Sequence, residues 1–379
     1  MLLGFGAKNF YSFKEGFEVN LKLGSGCPKD ISKGRNYANI IAVKGANASG
    51  KTNVLKALSF ISDFATNSFA YKTDIDIPFD NFFKNDESTH LYITFMDSDT
   101  TYKYEVELNN KKVISEIIYK KNVIVIKRVE NKLEKVSKEF EDIKIVKLRD
   151  NASIISTARQ YDSISTINIY FLLMNIISNV DSNGLQEQFI KHTGASNYYK
   201  HNENHFTFVK EVLQKSDTGI FDIRIEEDEN KETKVVTYFP LFDYKVNSKI
   251  KTLTYNQQSS GVKLLFKQLT AYKLVLDNGG VLVLDEFDIN LHPDLLPALI
   301  DFFDNPEKNP KGAQLIFTTH NTEIIDNLKK YRVVLVNKEE NESFLYRLDE
   351  ISDSILRNDR PLTPLYNSGK IGGKPKLEL

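Results

Sequence analysis

The sequence predicts an α/β fold in which mixed β-sheet lobes accompany a parallel sheet and carry an inserted, mainly helical subdomain. A compact apolar run at 39–43 (NIIAV) precedes a glycine-containing turn and a helix whose apolar residues share one face. From Lys263 onward the pattern runs helix, strand, helix, strand, which is typical of βαβ units in a parallel sheet. The 379 residues suffice for one large domain with an insertion, or for two modest domains.

Patterns elsewhere predict further strands and the position of the insertion. Residues 1–24 and 91–127 show alternating or β-branched runs, whereas residues 163–214 have a helical pattern. Strands resume near Phe221, and the acidic run at 226–232 predicts a solvated hairpin tip. We therefore predict an N-terminal lobe at 1–150, a helical insert at 151–218 and a C-terminal lobe at 219–379. We expect the tail from residue 366 to be extended.

The composition is that of an ordinary globular protein, with 41% hydrophobic and 27% charged residues and a formal net charge of −1. This charge gives the whole molecule no bulk attraction for nucleic acid or anionic lipid. The single cysteine, Cys27, excludes an intrachain disulfide and a cysteine-based metal cluster, which fits a reducing cytoplasm. Polar residues interrupt the most apolar stretch, 164–180, so we interpret it as a buried helix rather than a membrane span. Because the start also lacks a signal-peptide pattern, we expect a cytoplasmic protein.

Residues 45–52 (GANASGKT) match the phosphate-binding pattern GxxxxGK[ST] at every fixed position. Gly45 and Gly50 allow the backbone to curl with its N–H groups facing inward, where they and the helix N-terminus cradle a β-phosphate. Lys51 would neutralise β- and γ-phosphate oxygens, and the Thr52 hydroxyl would bind Mg²⁺. A buried strand before the motif and an amphipathic helix after it favour this function over a chance glycine turn.

Residues 280–286 (GVLVLDE) predict a central strand that ends in two carboxylates. Burying both carboxylates without a cation would be costly, so we expect Asp285 to hold the Mg²⁺ shell through water. Glu286, one residue further, is placed to accept a proton from an attacking water. On this segment alone, an exposed acidic turn after a strand is the alternative interpretation.

Two further segments carry weaker signals of their own. Residues 314–320 (QLIFTTH) predict a buried strand ending in His320, which could contact a γ-phosphate, although a lone histidine is more often structural. Residues 258–263 (QSSGVK) open a helix for which Ser259 is a plausible N-cap, and a helix N-terminus can bind an anion. A simple capped helix start explains the second segment equally well.

Taken in order, these segments resemble the nucleotide-binding head of ABC-type P-loop ATPases, nearer to SMC-type and OLD-type heads than to membrane transporters. GANASGKT resembles Walker A, VLVLDEFD resembles Walker B with a catalytic glutamate, and TTHN resembles the switch-histidine loop. QSSGVK resembles a degraded LSGGxK signature, and DINLHP resembles the D-loop. The resemblance implies these site residues: Gly45, Asn47, Ser49, Gly50, Lys51, Thr52 and Asn53 for the nucleotide, Thr52 and Asp285 for the metal, Glu286 and His320 for catalysis, Ser259, Ser260, Gly261 and Lys263 for the signature in trans, and Asp288 and Asn290 for the D-loop.

The resemblance also implies ATP and Mg²⁺ as ligands, slow or regulated ATP hydrolysis, and a homodimer or higher homo-oligomer that shares two nucleotides. Two departures stand out. Ser260 replaces a signature glycine, which would weaken the contacts made in trans to the γ-phosphate. The glutamine of the Q-loop is not evident either, because Gln160 and Gln186 both lie in the polar-to-helical block.

The two ends of the chain resemble a narrower group, while the middle block is unmatched. The opening KNFYSF and the ending YNSGKIGGKPKL resemble the small stand-alone AAA/ABC ATPases of RloA type, which occur in bacterial anti-phage and abortive-infection loci. That resemblance implies an ATP-driven switch that senses or scaffolds within a defence system. Its partner would be a separate effector, either a nuclease or a Toprim-like protein.

Three other functions are weighed against the switch. An SMC-like DNA-repair or DNA-binding ATPase needs long coiled coils, and the segment between Thr52 and Ser259 shows no heptads. An OLD-type nuclease carries a Toprim domain after the ATPase. The residues that follow His320 include four acidic candidates without a strand–DxD context: Asp349, Glu350, Asp353 and Asp359. A transporter subunit would need a membrane partner and usually has a cleaner signature.

A lysine-rich stretch at 120–147 could contact nucleic acid. Acidic residues interleave with its lysines, however, which favours a solvated face. Nucleic acid is therefore a conceivable partner that the charge pattern does not indicate, and we expect no membrane partner.

Overall fold

The computed structural model describes residues 1–186, 190–216, 218–352, 356–358 and 360–374. Its strands follow in chain order: β1 (Leu2–Lys8), β2 (Phe17–Asn20), β3 (Ile40–Gly45), β4 (Thr89–Asp97), β5 (Thr100–Leu108), β6 (Val113–Lys120), β7 (Val123–Val129), β8 (Lys132–Val136), β9 (Ile176–Ser178), β10 (Val180–Asp181), β11 (Gly184–Leu185), β12 (Ile220–Glu229), β13 (Val236–Val246), β14 (Lys249–Thr254), β15 (Val281–Leu284), β16 (Gln314–Thr318), β17 (Val333–Glu339) and β18 (Glu342–Arg347).

The helices are distributed between these strands and are mostly amphipathic. In chain order they are α1 (Lys29–Ser32), α2 (Lys51–Asn67), α3 (Ile154–Gln160), α4 (Ile167–Met174), α5 (His192–His201), α6 (Glu203–Lys215), α7 (Ser260–Asn278), α8 (Leu295–Asp304), α9 (Glu323–Leu328) and α10 (Thr363–Asn367). The longest two, α2 and α7, each begin within one of the glycine-containing motifs.

A six-stranded sheet in the order β18-β17-β3-β16-β15-β9 forms the centre of the molecule. Strands β17, β3, β16, β15 and β9 are mutually parallel, and only the edge strand β18 runs antiparallel to its neighbour. The carboxyl ends of the parallel strands therefore meet at one edge, where ligands bind in open α/β sheets. The predicted βαβ arrangement after Lys263 is confirmed.

Alternation along the central strands divides the hydrophobic core into two parts. Ile41 and Val43 of β3 belong to a core shared with α2 and the N-terminal antiparallel sheet. Ile40 and Ala42 point to the opposite face and join a core built with α7, α8 and α9. Because every residue of β3 is buried, the strand reads in the sequence as a continuous apolar run rather than an alternating one.

The N-terminal lobe adds a seven-stranded antiparallel sheet in the order β2-β1-β4-β5-β6-β7-β8, so the strands predicted there are confirmed. A fully buried ion pair between Arg128 and Glu116 crosses this sheet, with N–O distance 3.0 Å. Glu116 also accepts hydrogen bonds from the Tyr104 hydroxyl at 2.8 Å and from the backbone N–H of Ile154 at 2.9 Å. The network satisfies charges that would otherwise be costly to bury, and it joins the sheet to α3.

The C-terminal lobe carries a three-stranded antiparallel sheet in the order β12-β13-β14. The acidic run at 226–232 lies at the β12–β13 connection, and its residues are exposed or half-buried, which confirms the predicted hairpin tip. Helices α5 and α6 pack against this sheet and against α7. Residues 151–218, for which we predict a helical insert, contain α3 to α6 together with the short strands β9, β10 and β11, and β9 belongs to the central sheet. The domain boundaries stay a prediction.

Two local predictions are wrong. The stretch 164–180 is not one buried helix: α4 ends at Met174, and Ile176–Ser178 forms β9 at the edge of the central sheet. The tail is not simply extended, because α10 folds there and Tyr366 and Ile371 are buried. Of the acidic residues weighed for a nuclease, Asp353 and Asp359 lie outside the described residues. Among the helices that are described, none is long and apolar enough to cross a membrane.

Candidate nucleotide-binding site

The glycine loop connects the end of β3 to the start of α2 with a backbone that excludes larger side chains. Gly50 has φ 107°, and Ala48 adopts φ 59°. A Cβ atom on Gly45 would lie 2.3 Å from the carbonyl oxygen of Val336, and one on Gly50 would lie 2.7 Å from Oγ of Ser343. Both glycines are therefore required by close approach, and Gly50 also by its conformation. The loop therefore passes close to the backbone of β17 and to the side chain of Ser343 in β18.

Lys51 is buried at the start of α2 and turns back over the loop. Its Nζ donates a hydrogen bond to the carbonyl oxygen of Ala46 at 3.0 Å. Burial lowers the pKa of the Lys51 ammonium, and the carboxylates of Asp285, Glu286 and Asp288 oppose that shift. A desolvated ammonium held by a neutral carbonyl is well placed to exchange that contact for a phosphate oxygen.

Thr52 and Asp285 meet between the glycine loop and the end of β15. The Thr52 hydroxyl donates to Oδ2 of Asp285 at 2.8 Å, and the Thr318 hydroxyl donates to Oδ1 at 2.5 Å. The backbone N–H of Glu286 in turn donates to Thr318 Oγ1 at 2.8 Å. Glu286 has φ 51°, a strained value for a residue of this size. The structure thus brings the predicted metal ligands and the predicted base together at adjoining strand ends.

Asn179, which no sequence motif indicates, and Gln186, one of the two Q-loop candidates, both lie at this edge. The Asn179 side chain accepts from the N–H of Asp285 at 2.7 Å and donates to its carbonyl oxygen at 3.1 Å. Gln186 follows the short β10–β11 hairpin and lines a cavity of about 430 Å³ together with Asn179, Asp285 and Glu286. Of the two glutamines considered for the Q-loop, Gln160 instead ends α3. One feature of the sequence could have indicated Asn179. The apolar pair at 176–177 is followed by Ser178 and Asn179, which is the pattern of a short strand that ends in polar residues.

The predicted signature lies at the exposed N-terminus of α7. Ser259 is its N-cap, and its Oγ accepts from the N–H of Val262 at 3.3 Å. A Cβ atom on Gly261 would lie 2.8 Å from the carbonyl oxygen of Asn290, so this glycine permits contact with the predicted D-loop. Ser260 and Lys263 line the same 430 Å³ cavity as Glu286 and Asn290.

The loop that carries His320 follows β16 and is held from two sides. The carboxylate of Asp288 accepts from the backbone N–H of His320 at 3.2 Å and from that of Asn321 at 3.1 Å. The Nζ of Lys44 donates to the carbonyl oxygen of His320 at 2.8 Å. The side chain of His320 is exposed, so the fixed backbone presents the imidazole to the surface at the same sheet edge.

A serine cluster places the opening segment of the chain beside the glycine loop. The hydroxyl of Ser343 donates to Oγ of Ser12 at 2.7 Å and also lies 2.7 Å from the carbonyl oxygen of Ser49. The Asn53 amide donates to Ser12 Oγ at 2.8 Å, so Asn53 faces this cluster. The Ser49 hydroxyl is buried and has no hydrogen-bond partner within the described chain, whereas Asn47 is exposed. Sequence reasoning missed Ser12 and Ser343 because both are remote from the motif.

The lysine-rich stretch at 120–147 lies on the antiparallel sheet, and several of its cations are paired. The ion pairs are Lys120–Glu139, Lys127–Glu134, Arg128–Glu116 and Lys144–Glu141. Pairing of the three lysines with neighbouring carboxylates offsets the positive charge that would attract a phosphate backbone, as expected for a solvated face, whereas the Arg128–Glu116 pair is buried.

Comparisons with known proteins give a family and several similar folds. The matching solved structures include the SMC head domain from Thermotoga maritima, with 14% identity, TM-score 0.42, and coverage of 91% of this chain and 98% of that one. They also include the Smc head domain with a coiled coil and joint from Pyrococcus yayanosii, with 11% identity, TM-score 0.48, and coverage of 92% and 99%. A search of the curated proteins finds no significant match.

The family assignment comes from the sequence. The model of the family described as "AAA domain, putative AbiEii toxin, Type IV TA system" matches residues 40–326. That range begins with β3 and includes the glycine loop, the signature segment, the acidic strand end and the histidine loop. The match covers well over half of the chain, and it includes Lys51, Thr52 and Asp285. The chain therefore belongs to this family of AAA-domain P-loop ATPases.

Proposed function

We propose that the protein binds and hydrolyses ATP as an ABC-type molecular switch. The observation that carries this proposal is the contact between Thr52 and Asp285, with Glu286 next in the chain, at the mouth of the glycine cradle. Lys51 and the inward N–H groups of the loop would bind the β- and γ-phosphates. Glu286 would take the proton from the attacking water, and His320 would contact the γ-phosphate from the neighbouring strand end.

The residues present fit Mg²⁺. A hydroxyl and a nearly buried carboxylate face each other at Thr52 and Asp285, and hard oxygen donors of this kind are what Mg²⁺ prefers. Asp285 is 5% exposed, so a cation there would compensate a charge that has lost most of its solvent. When bound, Mg²⁺ would neutralise phosphate charge and orient the phosphate oxygens. No group of three or more His, Cys, Asp or Glu side chains in the described parts of the chain could hold a metal alone, so phosphates and water would complete the shell.

The same proposal requires two copies of the chain, or a higher homo-oligomer containing such pairs. Ser259, Ser260 and Lys263 surround an exposed helix N-terminus, which is a favourable site for an anion. In the proposed dimer this terminus covers the γ-phosphate held by the glycine loop of the other copy, with Asp288 and Asn290 at the seam. Loss of the γ-phosphate removes the bridge, so hydrolysis changes the interface.

At the level of the cell, we propose a cytoplasmic switch that senses or scaffolds in a bacterial anti-phage system and controls a separate effector, such as a nuclease or Toprim-like protein. The family description names a toxin–antitoxin system, and this supports a defence role. The paired lysines of the 120–147 stretch favour a protein effector over the alternative of an SMC-like DNA-repair ATPase. The RloA-like end motifs motivate this proposal.

Two variants test the chemistry. Lys51→Ala should lower ATP affinity by about 100-fold, because it removes the buried cation of the cradle. Glu286→Gln should keep ATP affinity within about twofold but lower the rate of phosphate release by at least about 100-fold, because the amide cannot take the proton. Calorimetry and phosphate release would be measured side by side, with the exposed Glu307→Gln as a control. Unchanged affinity in the first variant, or wild-type turnover in the second, would show that the site is misassigned.

A further inference from the structure

A glycine-rich segment near the C-terminus folds against α9, the helix that follows the loop carrying His320. We name residues 362–374 the C-terminal strap. The start of the strap is bound to Asp326 of α9. Oδ1 of Asp326 accepts hydrogen bonds from the backbone N–H groups of Leu362 and of Thr363, the latter at 3.1 Å. The Thr363 hydroxyl then donates to the carbonyl oxygen of Thr322 at 3.3 Å. The strap is therefore attached to α9 at two points, its N-cap residue Thr322 and Asp326 within the helix.

The far end of the strap is fixed to strands β17 and β18. The Tyr346 hydroxyl donates to the carbonyl oxygen of Ile371 at 2.7 Å, and the N–H of Gly373 donates to Oδ1 of Asn337 at 2.6 Å. Gly372 has φ 74°, and a Cβ atom there would lie 2.4 Å from the Tyr346 hydroxyl. The glycine pair in this ending is thus explained by close packing against the sheet.

Tyr366 connects the strap to the active-site edge through Lys44. The Tyr366 ring is 7% exposed, and Nζ of Lys44 lies 4.9 Å from its centroid. Lys44, itself 2% exposed, uses the same Nζ to donate to the carbonyl oxygen of His320 at 2.8 Å. A buried ammonium over an aromatic face is held in place by cation–π attraction. The contacts therefore run from the strap through one lysine to the backbone of His320.

We propose that the C-terminal strap, acting through Tyr366 and Lys44, fixes the backbone of His320 and thereby sets the rate of ATP hydrolysis without touching the nucleotide. Asp288 holds the N–H side of the histidine loop, and Lys44 holds its carbonyl side. Loss of the second support would let the imidazole leave its working position, and small displacements of positioning groups are costly in rate. Tyr366 and Lys44 are positioning residues in this account, and the rate effect rests on the proposed hydrolysis.

The first test compares variants of Tyr366. Tyr366→Leu removes the aromatic face and should lower kcat about tenfold, with ATP affinity within about twofold of the wild type. Tyr366→Phe keeps the ring over Lys44 but loses the hydrogen bond from the Tyr366 hydroxyl to the carbonyl oxygen of Gly373 at 2.9 Å. Because the ring is the group that contacts Lys44, this variant should retain most of the wild-type rate. The exposed Ser368→Ala is the matched control on the same segment. In a His320→Ala background, Tyr366→Leu should change kcat by less than about twofold, because the route through the histidine is already lost.

A second measurement does not depend on activity. Hydrogen exchange of the backbone amides at 319–321 should be about tenfold faster in Tyr366→Leu and in Lys44→Met than in the wild type. Unchanged hydrogen exchange in both folded variants would contradict the proposed role of the strap. So would a loss of kcat on Tyr366→Leu that is equal in the wild-type and His320→Ala backgrounds. If the wild type hydrolyses no ATP, the proposed function fails, and the exchange measurement alone then decides whether the strap fixes the loop.

Discussion

Asn179 holds the end of β15, the strand after which the proposed metal ligand Asp285 follows. Its amide pairs with both the N–H and the carbonyl oxygen of Asp285, in the way that a neighbouring strand would continue the ladder. Asn179 is 4% exposed. If its amide were removed, little water could reach the N–H and carbonyl groups of Asp285 to form hydrogen bonds in its place. The orientation of the Asp285 carboxylate, and with it the proposed metal site, depends on this pairing.

Asn179→Ala should therefore destabilise the protein and disturb the site. Leaving the two backbone groups unpaired should lower the free energy of unfolding by about 2 kcal/mol. Urea unfolding would measure that loss, and the Mg²⁺ concentration needed for half-maximal turnover should rise. The control is Asn183→Ala, on the exposed turn of the following hairpin. Equal stability of the two variants would contradict the role given to Asn179.

Lys44 gives a pH dependence whose sign can be worked out. Burial lowers the pKa of Lys44 to about 8, with attraction by Asp288 opposing and repulsion by Lys51 adding to the shift. Between about pH 8 and the ordinary lysine value of 10.5, the unfolded chain binds more protons than the folded one. The free energy of unfolding of the wild type should therefore rise across this window relative to Lys44→Met.

Denaturant unfolding of both proteins at intervals from pH 7 to about 10 would measure this difference. Below about pH 8 the Lys44 amine is protonated in both the folded and the unfolded wild type. The difference in the free energy of unfolding between the wild type and Lys44→Met should therefore be constant there. Curves for the wild type and Lys44→Met that stay parallel across the whole range would contradict the assigned environment of this lysine.

At the scale of elements, helix α7 and the segment after β15 come close together at Gly261, which has no side chain. The carbonyl oxygen of Asn290 occupies the space that a Cβ atom on Gly261 would need. Gly261→Val should push the two segments apart and lower turnover at least about tenfold, with ATP affinity little changed. Phosphate release and calorimetry measure the two effects. Gly194→Ala in α5, where an added Cβ meets nothing within 4 Å, is the control and should keep wild-type turnover.

The elements that the sequence predicts well are those with strong local patterns. Strands β3, β15 and β16 are mainly apolar runs, and a motif follows each of them. Because parallel strands end at the same edge of a sheet, the sequence alone indicated that the three motifs lie together. β9 was missed because its three residues give no periodicity, and its stability comes from pairing with β15. The ending from Tyr366 was misread because its glycines indicate turns but not the sheet against which they pack. Gln186 and Ser12 reach the site only through tertiary contacts.

At the scale of the whole molecule, the central claim is that each ATP lies between two copies of the chain. One copy carries an intact cradle at Lys51, and the other supplies the helix start at Ser259. Ser259→Arg should block the second element sterically by its bulk while leaving the first intact. The variant should bind ATP nearly normally and fail to turn it over.

The most direct test mixes two inactive variants. Lys51→Ala lacks the cation of the cradle but keeps the signature, and Ser259→Arg keeps an intact cradle but lacks a working signature. A mixed dimer then has one site in which both elements are intact. For random exchange in an equimolar mixture with independent sites, turnover should return to about a quarter of the wild-type rate. A mixture of exchanged subunits that remains as inactive as its separate components would contradict a site shared between two copies.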